Sequence, residues 1–180
     1  YMRNCLIVVD YQVDFVMGAL GFSGAARIEE AISRKIKAYR KRNDAVAFTF
    51  DTHGENYLNT REGRFLPVPH CIHGTPGHAL YGQIGAMIHP ADHRFYKETF
   101  GSGALYDYLK STAFAGIELA GVVSNICVLA NAVLARTACP ETPITVDAAC
   151  VAGPDYGLHG AALDILEGLQ VTVLNRGGRP

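Results

Sequence analysis

The chain has 180 residues, 49% of them hydrophobic and 18% charged, with a formal net charge of -1. That is apolar material for one buried core, so one domain over residues 1–180 is expected and a disordered chain is excluded. Near-neutral, evenly spread charge argues against nucleic acid or an acidic membrane as partner, and no apolar stretch nears the roughly 20 residues of a membrane span.

Elements follow in order. Cys5 to Val9 is a continuous apolar run, expected of a strand buried on both faces, and it is too short for a secretory leader. Arg27 to Arg42 carries Ile28, Ile32, Ile36 and Tyr39 at helical spacing. Asp44 to Phe50 reads as a second strand. A long polar stretch follows, Asp51 to Pro76, of the kind that in compact domains is usually functional or disordered. His93 to Tyr96 is a short strand, Gly103 to Ser111 a helix and Gly116 to Val123 a fourth strand. Asn125 to Thr137 is a helix with Val128, Ala132 and Ala135 on its apolar face. Pro143 to Val146, Asp155 to Gly168 and Gln170 to Leu174 complete the series as strand, helix and strand, and Arg176 to Pro180 reads as a frayed tail. Alternation of this kind predicts an α/β fold: a six-stranded, mostly parallel sheet with helices on both faces.

The cysteines (Cys5, Cys71, Cys127, Cys139 and Cys150) are odd in number and widely spaced, without a CxxC pair. They do not form a disulfide framework, and a reducing, cytoplasmic location is expected.

In open parallel sheets, ligands bind beyond the carboxyl ends of the strands. Asp10, Asp51 and Lys97 follow the first three strands directly, and Cys127 lies just past the fourth. Ser124-Asn125 reads as an N-cap, which puts Cys127 in the first turn of its helix. There the helix dipole favours a thiolate, and backbone N–H groups can hold an oxyanion. Asp10 is the expected base, and Lys97 the cation that offsets its buried charge. Against this, a cysteine in an apolar helix is most often plain core, Asp10 could be a strand-end cap and Lys97 a solvated lysine. The other four cysteines read as structural.

Three segments carry a resemblance. VVDYQVDF (Val8 to Phe15), KETFGSG (Lys97 to Gly103) and GVVSNICVLANAVLA (Gly121 to Ala135) are similar, in order and spacing, to the signature segments of the isochorismatase-like cysteine hydrolases. The resemblance implies a three-layer, Rossmann-like fold, an Asp-Lys-Cys triad of Asp10, Lys97 and Cys127, and a cis peptide at Val122-Val123. It also implies an oxyanion hole from the N–H groups of Val123 and Cys127, and assembly into a dimer or tetramer.

The polar loop adds Asp51, His53, Glu62 and His70, a mixed oxygen and nitrogen set suited to Zn²⁺, Mn²⁺ or Fe²⁺, though such residues are also ordinary solvated loop residues. The stretch Phe50 to Gly77 resembles the metal-binding loop of nicotinamidases. That implies a divalent cation, Zn²⁺ before Mn²⁺ or Fe²⁺, held by Asp51, His53, Glu62 and His70 and anchoring the substrate's pyridine nitrogen. It also implies Phe15 as a ring-packing residue, which a plain core phenylalanine would equally satisfy. Two features depart from that pattern. The chain has no Trp near the later histidine, and Ser124-Asn125 stands where Thr-Asp is usual. His73, His78, His89 and His93 match no ligand position. The function expected is hydrolysis of a small-molecule amide, nicotinamide to nicotinate and ammonia, through a thioester. The alternatives are a hydrolase of the same superfamily acting on a carbamoyl or ureido amide, and a non-catalytic binding domain on the same fold.

Overall fold

The computed structural model describes residues 2–177. The strands are β1 (Asn4–Val9), β2 (Ala45–Asp51), β3 (His93–Lys97), β4 (Gly116–Val122), β5 (Ile144–Ala152) and β6 (Thr172–Leu174). The helices are α1 (Val13–Val16), α2 (Glu29–Lys41), α3 (Arg61–Phe65), α4 (Gly82–Ala86), α5 (Gly103–Ser111), α6 (Leu129–Ala138) and α7 (Tyr156–Gly168). All pairings are parallel, in the order β3-β2-β1-β4-β5-β6. Among the described residues, no helix is long and apolar enough to cross a membrane.

Side chains alternate across a strand, so β1 feeds two cores. Cys5, Ile7 and Val9 pack with Leu105 and Leu109 of α5, Val128, Ala132 and Ala135 around α6, and Leu163 and Leu166 of α7. Leu6 and Val8 pack with Ile32, Ile36 and Tyr39 of α2 and Ile84 of α4. The sheet therefore carries helices on both faces, as its apolar runs predicted. Each fully buried aliphatic side chain contributes roughly 1.5–3 kcal/mol by leaving water, which is why α2 docks despite its polar outer face.

Chain order reverses between β1 and β4. The next strand after β1 goes to one side, while β4, β5 and β6 build the other. Such a switch point leaves a crevice beyond the strand ends, where ligands bind. Gly121 permits the close approach of β1 and β4 there. Its φ is +115°, and a Cβ would come within 2.0 Å of the Val9 carbonyl oxygen.

Several boundaries differ from the sequence reading. β5 runs on to Ala152 because the β4–β5 register shifts between Leu119 and Gly121 and then resumes with Val151 and Ala152. Asp147, just past the Val146 at which that strand read as ending, is accommodated by Lys35 at 2.8 Å and Asn175 at 3.0 Å. The polar stretch after β2 is neither disordered nor featureless. It holds a 3₁₀ turn (Tyr57–Asn59), α3 and another 3₁₀ turn (Pro76–His78). Arg176, expected to fray, pairs with Asp164 and Glu167 of α7. The rest of the expected tail, 178–180, lies outside the described residues.

Candidate active site

The strand ends deliver Asp10, Asp51, Lys97 and Cys127 to one place. Asp10 follows β1 at the switch point, in a left-handed conformation (φ +46°) that Asp tolerates better than most residues. Asp51 and Lys97 are the last residues of β2 and β3 and are register partners. Lys97 Nζ lies 2.6 Å from Asp10 Oδ2, 3.3 Å from Asp51 Oδ1 and 3.6 Å from Cys127 Sγ, and it donates to the Thr99 carbonyl at 3.0 Å. Asp10 Oδ1 accepts from Thr49 Oγ1 at 2.6 Å. All are nearly enclosed: Asp10 is 0%, Lys97 5% and Cys127 6% exposed.

Burial raises the Asp10 carboxyl above the ordinary range, against the pull of Lys97. Burial also pushes the Cys127 thiol well up, with Asp10 adding to the rise and Lys97 opposing it. Burial works against the Lys97 charge, but Asp10, Cys127 and Asp51 outweigh it and hold the ammonium firmly protonated. The thiol therefore rests protonated beside the Asp10–Lys97 pair. The helix start alone does not make it a thiolate: a thiol this buried gives up its proton only to a neighbouring base, the need that the sequence reading assigned to Asp10.

The cap expectation is corrected. The segment Ser124–Val128 is a π-helical turn whose N-cap is Val123, without a side-chain cap. Ser124 Oγ instead bonds His159 Nδ1 at 2.9 Å. Cys127 still lies in the opening turn. The Val123 carbonyl accepts from Ile126 N at 3.0 Å and Val128 N at 3.1 Å, closing that turn. The Val122-Val123 peptide is cis, where the resemblance put it.

The second cluster adjoins the first through Asp51. One carboxylate oxygen faces Lys97; the other lies 2.9 Å from His53 Nε2 and 3.2 Å from His70 Nε2. Glu62 Oε1 stands 3.7 Å and 3.6 Å from the same two nitrogens. The loop is built for this. His53 N donates to the Cys71 carbonyl at 3.0 Å and His73 N to the His53 carbonyl at 2.8 Å, which sets His70 beside His53. Thr60 caps α3 through Gly63 N at 3.0 Å and places Glu62 in its first turn.

These four residues fit a divalent cation. One ligand atom from each can be chosen so that all lie within 4.8 Å of one another. Donors bound at about 2.1 Å to one ion stand about 3.0–3.5 Å apart, close to the observed spacings. The His70 Nδ1 faces the Val68 carbonyl at 2.8 Å, which fixes the tautomer and turns the Nε2 lone pair inward. Burial and the nearby Asp51 charge push the Glu62 carboxyl up, a repulsion that a cation would relieve. A cleft of about 710 Å³ opens onto this cluster, lined by His53, Arg61, Glu62, Phe65, Thr99 and Phe100. Phe15 is buried with its ring 5.4 Å from that of His70, edge to face, and does not line the cleft. His73, His78, His89 and His93 stay outside the cluster, with His78 Nε2 2.8 Å from Thr52 Oγ1.

Three supporting residues escaped the sequence reading. Gln12, fully buried, accepts from Asp51 N at 2.8 Å and donates to the Asp51 and His78 carbonyls at 2.8 and 2.9 Å. Asn131 donates to the carbonyls of Cys127 at 2.8 Å and Phe100 at 3.1 Å, joining the turn of Cys127 to the loop after Lys97. Asp14 receives Cys71 N at 2.8 Å. Each is polar within an apolar pattern; Asn131 falls four residues after Cys127 on the buried helix face, the signal that could have found it.

Comparison with known proteins agrees with this architecture. The isochorismatase domain matches residues 4–176. The uncharacterized isochorismatase family protein PncA of Bacillus subtilis is 35% identical over 143 residues, 73% of this chain and 78% of the relative. The nicotinamidase/pyrazinamidase of Mycobacterium tuberculosis is 28% identical over 142 residues, 69% and 74% of the two chains. The crystal structure of nicotinamidase/pyrazinamidase PncA from Bacillus subtilis superposes with a TM-score of 0.87 at 29% identity, covering 97% of this chain and 100% of that one. The chain belongs to the isochorismatase family.

Proposed function

We propose that this protein is a cysteine amidohydrolase that converts nicotinamide to nicotinate and ammonia. The observation that carries the reading is the convergence of Asp10, Lys97 and Cys127 beside a four-donor cluster that shares Asp51 with them through Lys97. The names of the relatives support the substrate.

Asp10 takes the Cys127 proton as Sγ bonds to the carboxamide carbon, and the carbonyl electron pair moves to oxygen. A raised carboxyl pKa suits a base working near neutrality. The N–H groups of Val123 and Cys127 hold the oxyanion. As the C–N bond breaks, Asp10 returns its proton to nitrogen and ammonia leaves a thioester. Water, deprotonated by Asp10, attacks the thioester, and the thiolate departs and is reprotonated. Lys97 keeps its charge throughout and offsets that of Asp10. Bound by Asp51, His53, Glu62 and His70, a divalent cation such as Zn²⁺, Mn²⁺ or Fe²⁺ supplies a Lewis-acid anchor for the pyridine nitrogen.

The five buried cysteines, all free, support a reducing, cytoplasmic setting, and a homo-oligomer is the expected assembly, to be read by sedimentation. The functional test is ammonia release from nicotinamide. The metal-loaded protein should be active, and Cys127→Ala and chelated samples should fall at least about 10³-fold. An inactive, metal-loaded wild type would remove nicotinamide and turn the search to carbamoyl and ureido amides.

A further inference from the structure

The nucleophile's turn is held from behind by a contact that plays no part in the chemistry above. Ser124 is 1% exposed, and its hydroxyl is used neither to cap the turn nor to face the cleft. It meets His159 Nδ1 at 2.9 Å, across 35 residues of sequence. His159 stands in the first turn of α7, whose start is fixed by Asp155 Oδ1 accepting Leu158 N at 2.9 Å. The space is tight: a Cβ on Gly153 would come within 2.8 Å of Ser124 Oγ and 3.3 Å of Asn125 Oδ1. The contact therefore has little freedom to rearrange. Burial keeps the His159 imidazole below its usual pKa, favouring the neutral ring, whose Nδ1 can pair with a hydroxyl as donor or acceptor.

We propose that His159 is a positioning residue for the nucleophile: its Nδ1 holds Ser124 Oγ and so fixes the chain from Val123 to Cys127. That stretch carries both the thiol and the oxyanion donors, so the inference rests on the reading of Cys127 as nucleophile. A displacement of about 1 Å at a reacting group can cost about 10²-fold in rate. Because His159 acts on geometry and not on substrate, its loss should appear in kcat and not in KM.

The test compares wild type, Ser124→Ala, His159→Leu, the double variant and His159→Asn, whose side-chain amide can take the place of the ring Nδ1 through Nδ2 as donor or Oδ1 as acceptor. With nicotinamide and the metal-loaded protein, each disrupting single variant should lower kcat about tenfold or more, with KM within about twofold. The double should be no slower than the worse single, and His159→Asn should recover most of the rate. Iodoacetamide alkylation of Cys127 without substrate gives a second readout, expected to change about threefold or more in His159→Leu and to return in His159→Asn. If even the wild type fails to hydrolyse nicotinamide, the substrate reading falls and the alkylation rates alone decide this one. Should His159→Leu fail to fold, Ser124→Ala and His159→Asn carry the comparison. Wild-type kcat and alkylation in Ser124→Ala, additive losses in the double, or a loss confined to KM would each overturn the proposal.

Discussion

Replacing Lys97 with Met removes the one cation, among the described residues, that touches both halves of the site. Its ammonium sits 2.6 Å from Asp10 and 3.3 Å from Asp51, and its side chain is 2% exposed. Breaking a buried pair from one side costs about 3–5 kcal/mol, because the remaining charge has neither water nor a partner. With an m-value of about 2 kcal/mol/M in urea, the midpoint of a chelated sample should fall by about 1.5–2.5 M at pH 8. The loss should depend on pH in a definite sense. Burial already raises the Asp10 carboxyl, and without Lys97 the Thr49 hydrogen bond is left to oppose it. The native state then binds a proton that the unfolded chain releases near pH 4, so the variant loses stability as pH rises through the raised folded value. Destabilisation should be larger at pH 8 than at pH 5.5. Adding Asp10→Asn removes the orphaned charge and should restore at least half of the lost stability while leaving the protein inactive. Equal midpoints for Lys97→Met and wild type, a deficit that shrinks with rising pH, or a double variant weaker than Lys97→Met would refute this reasoning.

Three further outcomes are expected. His53→Ala should weaken metal binding by more than the roughly 10–100-fold typical of losing an outer partner, and should raise KM; full activity in the demetallated variant would sink the anchoring role, and elemental analysis with kinetics checks both. Gln12→Ala leaves the Asp51 amide and two carbonyls without partners, at about 1–3 kcal/mol for a buried orphan, so the Tm should fall by about 2–12 °C in a chain this size. Because burial and Asp10 hold the Cys127 thiol well above its ordinary pKa, its alkylation in substrate-free protein should keep rising from pH 7 to 9.5; a plateau below pH 8 would show a thiolate already formed.

Much of this was written in local pattern. The run Cys5 to Val9 could only be a strand buried on both faces, since no polar residue interrupts it, and it is. Gly103 to Ser111 came out as read, with Ser102 capping through Leu105 N at 3.1 Å. The candidates Asp10, Asp51, Lys97 and Cys127 were legible because strand ends in a parallel sheet share one edge. That Asp51, His53, Glu62 and His70 belong together was legible from residue type and from the resemblance of their loop.

Other features depend on neighbours far along the chain, and no local pattern encodes them. The fifth strand read as ending at Val146; it runs on through Asp147 because Lys35 from α2 offsets that charge. Ser124 read as a cap because nothing in the sequence announced His159 behind it. The helix start favours a thiolate, but how far enclosure and the adjoining Asp10 hold the thiol protonated is set by contacts that the sequence does not show. The sequence by itself determined the elements, their alternation and the chemical types at the strand ends, since these follow from periodicity and composition. Only the tertiary structure decided which charges face one another and how dry each is, because Coulomb and desolvation terms depend on distances between residues that the chain keeps far apart.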